Sequence, residues 1–267
     1  MRALGLWKFS RPLTVLAVLA ALSGCATPPP ADDPEAVAEF QKNNDPFEPT
    51  NRAIFDFNDK AYEYFLHPVA SGYRDVVPPF GREVIANMLA NLKSPTILLN
   101  DLLQGDFSGG VRTLMRMILN STFGVGGMQD VATPLGIPRR DADFGQTLAV
   151  WGFGPGPYLV LPIVGPSNPR DGLGMLADSF TDPLDDYLHG SGMGWVAEVR
   201  FGISVVSLVD ANMDAIDDVR RSSLDYYSAI RSLTRQRREA QINEAANPTI
   251  GWFHLMPHMN INFQSLF

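Results

Sequence analysis

Residues 144–169 read FGQTLAVWGFGPGPYLVLPIVGPSNP and form an uncharged segment of 26 residues. A run of this length is long enough to cross a membrane as a helix, which takes about 20 apolar residues. Five prolines and the glycines Gly152, Gly154 and Gly156 exclude a continuous helix. Irregular backbone persists at membrane depth only where protein or a water-filled cavity satisfies its polar groups. The segment therefore predicts a hairpin that turns near Pro155 and Gly156, either beside a pore or inside a soluble core.

The N-terminus has the layout of an export signal. Basic residues precede an apolar run at residues 13–22, and small residues follow it. The run is too short to span a bilayer as a helix. Cys25 is the only cysteine and comes directly after the small residues, where a lipoprotein receives its acyl chains. We therefore predict a lipoprotein signal peptide over residues 1–24 and a lipid anchor on Cys25, and the non-acidic Ala26 indicates sorting to the outer membrane.

Charge and composition restrict the partners and the domain layout. The net charge is −8, and it becomes more negative when the cations of the signal peptide are removed. Such an acidic chain argues against binding to nucleic acid. Proline-rich sequence after Cys25 predicts a solvated tether over residues 25–43. A folded region is expected over residues 44–238, with a variable tail over residues 239–267.

An aromatic helix is predicted over residues 50–66. Thr50 or Asn51 is the expected N-cap, and Pro68 is expected to end the helix. Apolar residues, several of them aromatic, recur in this segment at helical spacing. Such a face either packs in a protein core or lies in a bilayer interface.

Helical periodicity continues along most of the chain. Further helices are predicted over residues 81–92, 95–103 and 109–122, each bounded by glycine or proline. A strongly apolar stretch at residues 195–209 precedes a long polar helix predicted over residues 211–246. The predicted fold class is therefore mainly α.

The sequence contains no recognisable catalytic motif. The four histidines lack a metal-ligand spacing, and no nucleophile, phosphate-loop or dinucleotide motif is found. The carboxylates of Asp130, Asp143, Asp171 and Asp178 are candidates for an acid and base pair. Aspartate in such Gly- and Pro-rich surroundings more often caps a helix or closes a turn. We therefore predict a protein that is not an enzyme and uses no metal or other cofactor.

Ordered blocks of sequence over residues 44–178 resemble the MlaA (VacJ) family of outer-membrane lipoproteins. Beyond about residue 238 no block matches. The blocks are Asn44-Asp45-Pro46-Phe47-Glu48, Asn51-Arg52, Phe55-Asp56-Phe57-Asn58, Asn100, Leu103-Gln104-Gly105-Asp106, Asn120-Ser121-Thr122, Gly124-Val125-Gly126-Gly127, Asp130-Val131-Ala132, Phe144-Gly145-Gln146-Thr147-Leu148, Gly152, Gly154, Gly156-Pro157-Tyr158, Leu161-Pro162, Gly165 and Arg170-Asp171.

The resemblance implies a ring-shaped single domain of amphipathic helices with a short Gly/Pro-rich hairpin, partly embedded in one leaflet of the outer membrane. It also implies a conduit that passes phospholipids misplaced in the outer leaflet to a soluble periplasmic phospholipid carrier like MlaC. A trimeric porin is implied to hold the ring at the periplasmic face, and the outcome is outer-membrane lipid asymmetry. Two alternatives are a scaffold that binds a porin and transports nothing, and a hydrolase, which the missing motifs disfavour.

By the family's pattern, Gly152, Gly154 and Gly156 lie in a hairpin beside the channel. Glycine at such positions allows either hinge motion and close backbone approach or plain turn geometry. Both roles remain open for these three residues.

An arginine cluster near the C-terminus includes Arg235, Arg237 and Arg238 in an otherwise acidic chain. Such a run forms either a solvated helix face or a docking site for an acidic carrier or a lipid phosphate. The family's C-terminal helical region is thought to meet the carrier. We therefore predict that these three arginines dock the carrier.

Overall fold

The computed structural model describes residues 45–246, so Cys25, the predicted signal peptide and tether, and residues 247–267 lie outside the described part. The described part is a single, mainly helical domain, which confirms the predicted class. Its elements are α1 (Glu48–Ala61), a π-helical turn (Tyr62–Leu66), α2 (His67–Val76), α3 (Pro79–Leu103), α4 (Phe107–Thr122), α5 (Phe144–Val150), β1 (Leu159–Leu161), β2 (Gly165–Ser167), α6 (Pro169–Phe180), α7 (Pro183–Gly190), α8 (Gly194–Ser222) and α9 (Tyr226–Ala246). Between residues 45 and 246, no helix is both long enough and apolar enough to cross a membrane.

The aromatic helix does not end at Pro68, so this prediction was wrong. α1 passes into the π-helical turn, where the His67 N–H donates to the carbonyl of Tyr62, five residues earlier. Pro68 has no N–H to donate, and the wider turn before it provides the altered hydrogen-bond register in which the helix continues as α2. The predicted cap was also wrong. α1 begins at Glu48, and Asn51 is buried in its first turn.

One continuous helix, α3, replaces the two helices predicted before and after Pro95. Proline inside a helix removes a hydrogen bond and costs about 3 kcal/mol. The neighbouring Ser94 and Thr96 are buried, and α3 packs against α4, so tertiary contacts outweigh the local cost. α4 forms where a helix was predicted. It begins two residues earlier, because the Asp106 carboxylate accepts a hydrogen bond from the Gly109 N–H at 2.8 Å.

β1 and β2 form an antiparallel hairpin, and residues 162–164 connect them. The turn was predicted near Pro155 and Gly156, and this position was wrong. Pro155 and Pro157 have no N–H to contribute to a strand ladder. The apolar residues of β1 pair instead, and Val160 among them is buried in the core.

The polar helix predicted over residues 211–246 is divided between the end of α8 and the whole of α9. Near the break, the Asp225 carboxylate pairs with Arg52 of α1 at 2.7 Å. The break also brings Tyr227 onto Phe55, with ring centroids 5.4 Å apart. These contacts with α1 outweigh the helical propensity of the connecting residues.

Two small apolar clusters join the helices. The first contains Phe55, Tyr158, Val160 and Tyr227, and the second contains Tyr62, Ala70 and Met213. The first cluster joins α1 to the hairpin and α9, and the second joins the π-helical turn and α2 to α8. Many of the other buried side chains are polar. Hydrogen bonds and ion pairs therefore position much of the ring.

Candidate functional site

A cavity of about 1200 Å³ lies between the helices. Residues of α3, α4, α6, α7, α8 and α9 line it, together with β2 and the loops before α5 and β1. These elements enclose the space as a ring, as predicted. Within the described part of the chain, α1 and α2 add nothing to the lining, and they pack against the hairpin and α8 instead.

The cavity lining is amphipathic and has a positive balance of charge. Nine basic and seven acidic side chains line it, although the whole chain has a net charge of −8. Apolar side chains cover other parts of the wall, namely Leu89, Ile97, Met175, Phe201 and Leu208 among others. A cavity with both kinds of wall suits a ligand that is itself amphipathic and anionic.

Arg238 ties α9 to two other walls of the cavity. Its guanidinium lies 2.6 Å from the Asp143 carboxylate and 2.9 Å from the Asp171 carboxylate. Burial alone would raise the pKa of each aspartate, but hydrogen bonds and charge from Arg238 outweigh it, so the pKa of both carboxyls falls below the usual range. Asp143 also caps α5 by accepting a hydrogen bond from the Gln146 N–H. Arg238 is therefore a structural cation.

All four candidate acid or base carboxylates have structural partners. Asp130 accepts two hydrogen bonds from Arg116, at 2.8 and 2.9 Å, and Asp178 accepts one from a backbone N–H at the start of α5. An acid and base pair needs one protonated and one ionised group. Asp143 and Asp171 are brought together, but Arg238 lowers the pKa of both. They do not form such a pair.

A buried polar network lies where α3, α5 and α6 meet. The Asn100 amide donates to Asp178 at 2.9 Å, the Thr147 hydroxyl donates to Asn100 at 2.9 Å, and the Gln104 amide donates to Thr147 at 3.1 Å. Burial raises the pKa of Asp178, although hydrogen bonds from the Phe144 N–H and the Asn100 amide oppose the shift. The sequence pattern gave Asp178 only a candidate acid, base or capping role and gave Asn100, Gln104 and Thr147 none. The available signal was the polar pair Asn100 and Asp101, which lies between leucines of an apolar helix.

Two asparagines of α1 hold the hairpin. The Asn51 amide donates to the Tyr158 carbonyl at 3.0 Å and accepts from the Val160 N–H at 2.9 Å. Asn58, seven residues later on the same face, forms the same kind of pair with the end of β1 and the turn, at 2.9 and 2.7 Å. Each amide side chain thus takes the place of a neighbouring strand. Tyr158 lines the cavity, so α1 indirectly fixes part of the cavity wall.

The three predicted hinge glycines lie before the hairpin and not in its turn. Gly152 and Gly156 have positive φ angles of 93° and 72°, whereas Gly154 does not. A Cβ atom on Gly152 or Gly154 would meet nothing within 4 Å, whereas one on Gly156 would lie 3.2 Å from Pro169. Gly156 lines the cavity. The structure therefore separates Gly154 from the two glycines whose backbone conformation requires glycine.

The three predicted docking arginines all line the cavity from α9. Arg238 is held by two aspartates, as described above, whereas Arg237 is exposed. α9 runs without interruption through residue 238, where the folded region was expected to end. The lipidation site Cys25 lies outside the described residues.

Fold and cavity together define a ring-shaped helical protein with an amphipathic central cavity. The chain belongs to the MlaA lipoprotein family, because the model of that family matches residues 43–241. This match covers all the elements of the fold except the last five residues of α9.

Named relatives and a solved structure agree with this membership. The intermembrane phospholipid transport system lipoprotein MlaA of Escherichia coli is 33% identical over 92% of this chain and 90% of its own length. The protein of the same name from Haemophilus influenzae is 30% identical over 87% of this chain and 90% of its own length. A structure from a study of how bacterial outer membrane lipid asymmetry is maintained has a TM-score of 0.64 and 33% identity, and covers 74% of this chain and 99% of the other. These relatives bear the name of a transport system and not of an enzyme.

Proposed function

We propose that this protein is an outer-membrane lipoprotein that forms a conduit for phospholipids. It removes phospholipids misplaced in the outer leaflet and so maintains the lipid asymmetry of that membrane. The observation that carries the proposal is the amphipathic cavity between the helices, whose wall has both apolar and basic side chains. A phospholipid has an anionic phosphate and two apolar chains, so one lining accommodates both parts. The name of the Escherichia coli relative supports the same assignment.

The outer surface of the ring supports a position in one membrane leaflet. Phe65, Phe180 and Trp195 are 72%, 78% and 68% exposed, and many other large apolar side chains are exposed as well. Exposed large apolar side chains in this number support contact with a membrane or a partner. We place the ring partly in the inner leaflet, at the periplasmic face, with acyl chains on Cys25 as the anchor.

The same proposal includes two protein partners and no catalytic step. A soluble periplasmic carrier receives the phospholipid, and a trimeric porin holds the ring in place. Arg235 and Arg237 remain the proposed docking residues, for the carrier or for a lipid phosphate, since both lie on the cavity face of α9. Arg238 is already bound by two carboxylates, so its first role is to hold the ring together.

A bulky side chain introduced into the cavity would distinguish a phospholipid conduit from a scaffold that transports nothing. Ala211 of α8 lines the cavity and is exposed to it, whereas Gly202 on the same helix is exposed outside the lining. We expect Ala211→Trp, in a strain lacking the native protein, to leave phospholipid in the outer leaflet. Gly202→Trp should restore asymmetry as the native protein does. Full function of a correctly located Ala211→Trp variant would favour the scaffold.

Gly154 gives the cleanest test of hinge motion in the segment before the hairpin. Its φ is not positive and a Cβ atom there is unopposed, so alanine costs a static structure little. If Gly154 acts as a hinge, Gly154→Ala lowers phospholipid transport at an unchanged melting temperature. Unchanged transport would mean that these glycines only supply turn geometry. Gly156→Ala is the comparison, because the positive φ of Gly156 strains an alanine.

A further inference from the structure

Most basic side chains of the cavity wall are already neutralised by acidic partners. The buried or nearly buried arginines are each paired with a carboxylate of the ring: Arg116, Arg140, Arg170, Arg200 and Arg238. Lys93 and Arg139 have looser carboxylate partners, at 3.6 and 3.5 Å. An anionic ligand would have to displace an aspartate to bind any of these cations. Such displacement is costly where the pair is buried.

Arg237 differs from these cations. It lines the cavity and is exposed, and it has no carboxylate within 4 Å among residues 45–246. Gln241 lies one helical turn further along the same face and also lines the cavity. The Gln241 side-chain oxygen accepts from Arg238 at 3.4 Å, which leaves its NH₂ group to donate elsewhere. Arg237 and Gln241 thus present adjacent donors to the cavity.

Another part of the cavity wall offers a surface for acyl chains. Phe201 and Leu208 of α8 line the cavity and are 67% and 66% exposed. They lie seven residues apart and therefore on one helix face. Phe201, Leu208 and Arg237 all line one cavity, so an apolar helix face and a basic side chain border the same space. A free phosphate ion would use only the polar helix, whereas a lipid would use both.

We propose that Arg237, assisted by the Gln241 amide, binds the phosphodiester of a phospholipid whose acyl chains lie against Phe201 and Leu208. The inference rests on the proposed conduit and specifies its headgroup site. A guanidinium offers a planar pair of donors that matches two phosphate oxygens. Because the contact is to the phosphate and not to the group beyond it, the site accepts phosphatidylethanolamine and phosphatidylglycerol alike.

The experiment measures binding of two fluorescent lipids to the full lipoprotein in detergent. One probe is phosphatidylglycerol, and the other is diacylglycerol, which has the same chains and no phosphate. Arg237→Gln should weaken binding of phosphatidylglycerol about tenfold, the loss of one charge-assisted contact, and leave diacylglycerol binding unchanged. Arg237→Lys should retain most of the affinity. Arg221→Gln is the matched control, since Arg221 is exposed on α8 and does not line the cavity.

Each alternative outcome has a distinct meaning. Equal weakening of both probes by Arg237→Gln would overturn the proposal, because it would indicate a structural role. Unchanged binding of both probes would overturn it as well. Displacement of phosphatidylglycerol by an equimolar amount of inorganic phosphate would assign the site to the free ion. Failure of the native protein to bind either lipid would instead contradict the conduit itself.

Discussion

Inside the ring, Asn100 and Thr147 are completely buried, whereas Phe65, Phe180 and Trp195 lie on the outside with most of their surface exposed. In a water-soluble domain, apolar burial supplies most of the stability. Here polar side chains with assigned partners fix the positions of the helices. The exposed apolar surface stabilises the protein only where lipid or a partner covers it. The two regions should therefore respond to different perturbations.

The largest effect is expected where the inner region loses a shared cation. Arg238→Ala leaves Asp143 without a paired cation and close to Asp171, which keeps only Arg170. We expect the free energy of unfolding to fall by about 3 kcal/mol, as measured by chemical denaturation of the detergent-solubilised protein. Arg221→Ala is the control and should change it by less than about 0.5 kcal/mol, because that ion pair is exposed. Equal losses of unfolding free energy in the two variants would mean that inner and outer ion pairs contribute equally to stability.

A buried amide tests whether α1 holds the hairpin. Asn51→Ala leaves the Tyr158 carbonyl and the Val160 N–H without a partner, so we expect a loss of about 2 kcal/mol. Hydrogen exchange at the Val160 N–H should accelerate by the factor that corresponds to this free energy. Asn212→Ala is the matched control, since that exposed amide bonds only to its own helix. Unaltered exchange at Val160 would show that strand pairing alone holds the hairpin.

Acid should weaken the inner region through the same aspartates. The pKa of Asp143 and Asp171 is lower in the folded protein than the usual value of about 3.9. Their contribution is therefore fully present above the unfolded pKa and is lost as pH falls through the folded pKa. The native protein should lose stability steeply below about pH 4, and Arg238→Ala should lose less over the same range. Parallel pH profiles of the two proteins would contradict this assignment.

The smallest effect on stability is expected on the outside. Phe65→Ser should change the free energy of unfolding by less than about 0.5 kcal/mol, because the Phe65 side chain is already exposed. Its binding to phospholipid vesicles should weaken about tenfold, because lipid no longer covers an aromatic ring. Asp56→Ser is the control for the vesicle assay, because Asp56 is exposed on α1, the helix that precedes the π-helical turn with Phe65. A loss of stability as large as that of Asn51→Ala would show that Phe65 is not an outward-facing residue.

Local pattern was a good guide to the helices and a poor guide to their ends. The helix over residues 109–122 and the mainly α class followed from periodicity and from Gly and Pro punctuation. The breaks expected at Pro68 and Pro95 failed, because a π-helical turn and the packing of α3 on α4 compensate for the missing hydrogen bonds. Proline chemistry is local, whereas the contacts that outweigh it join distant segments.

The sequence by itself determined the helical class, the lipoprotein character expected from Cys25, and membership of the family, because these depend on composition, on spacing and on ordered blocks. Only the tertiary structure decided which charged residues are neutralised. Arg237 and Arg238 are neighbours in sequence, yet Arg238 meets two aspartates from α5 and α6 while Arg237 faces the open cavity. A side chain's partners depend on which distant elements pack against it, and no pattern within one helix contains that information.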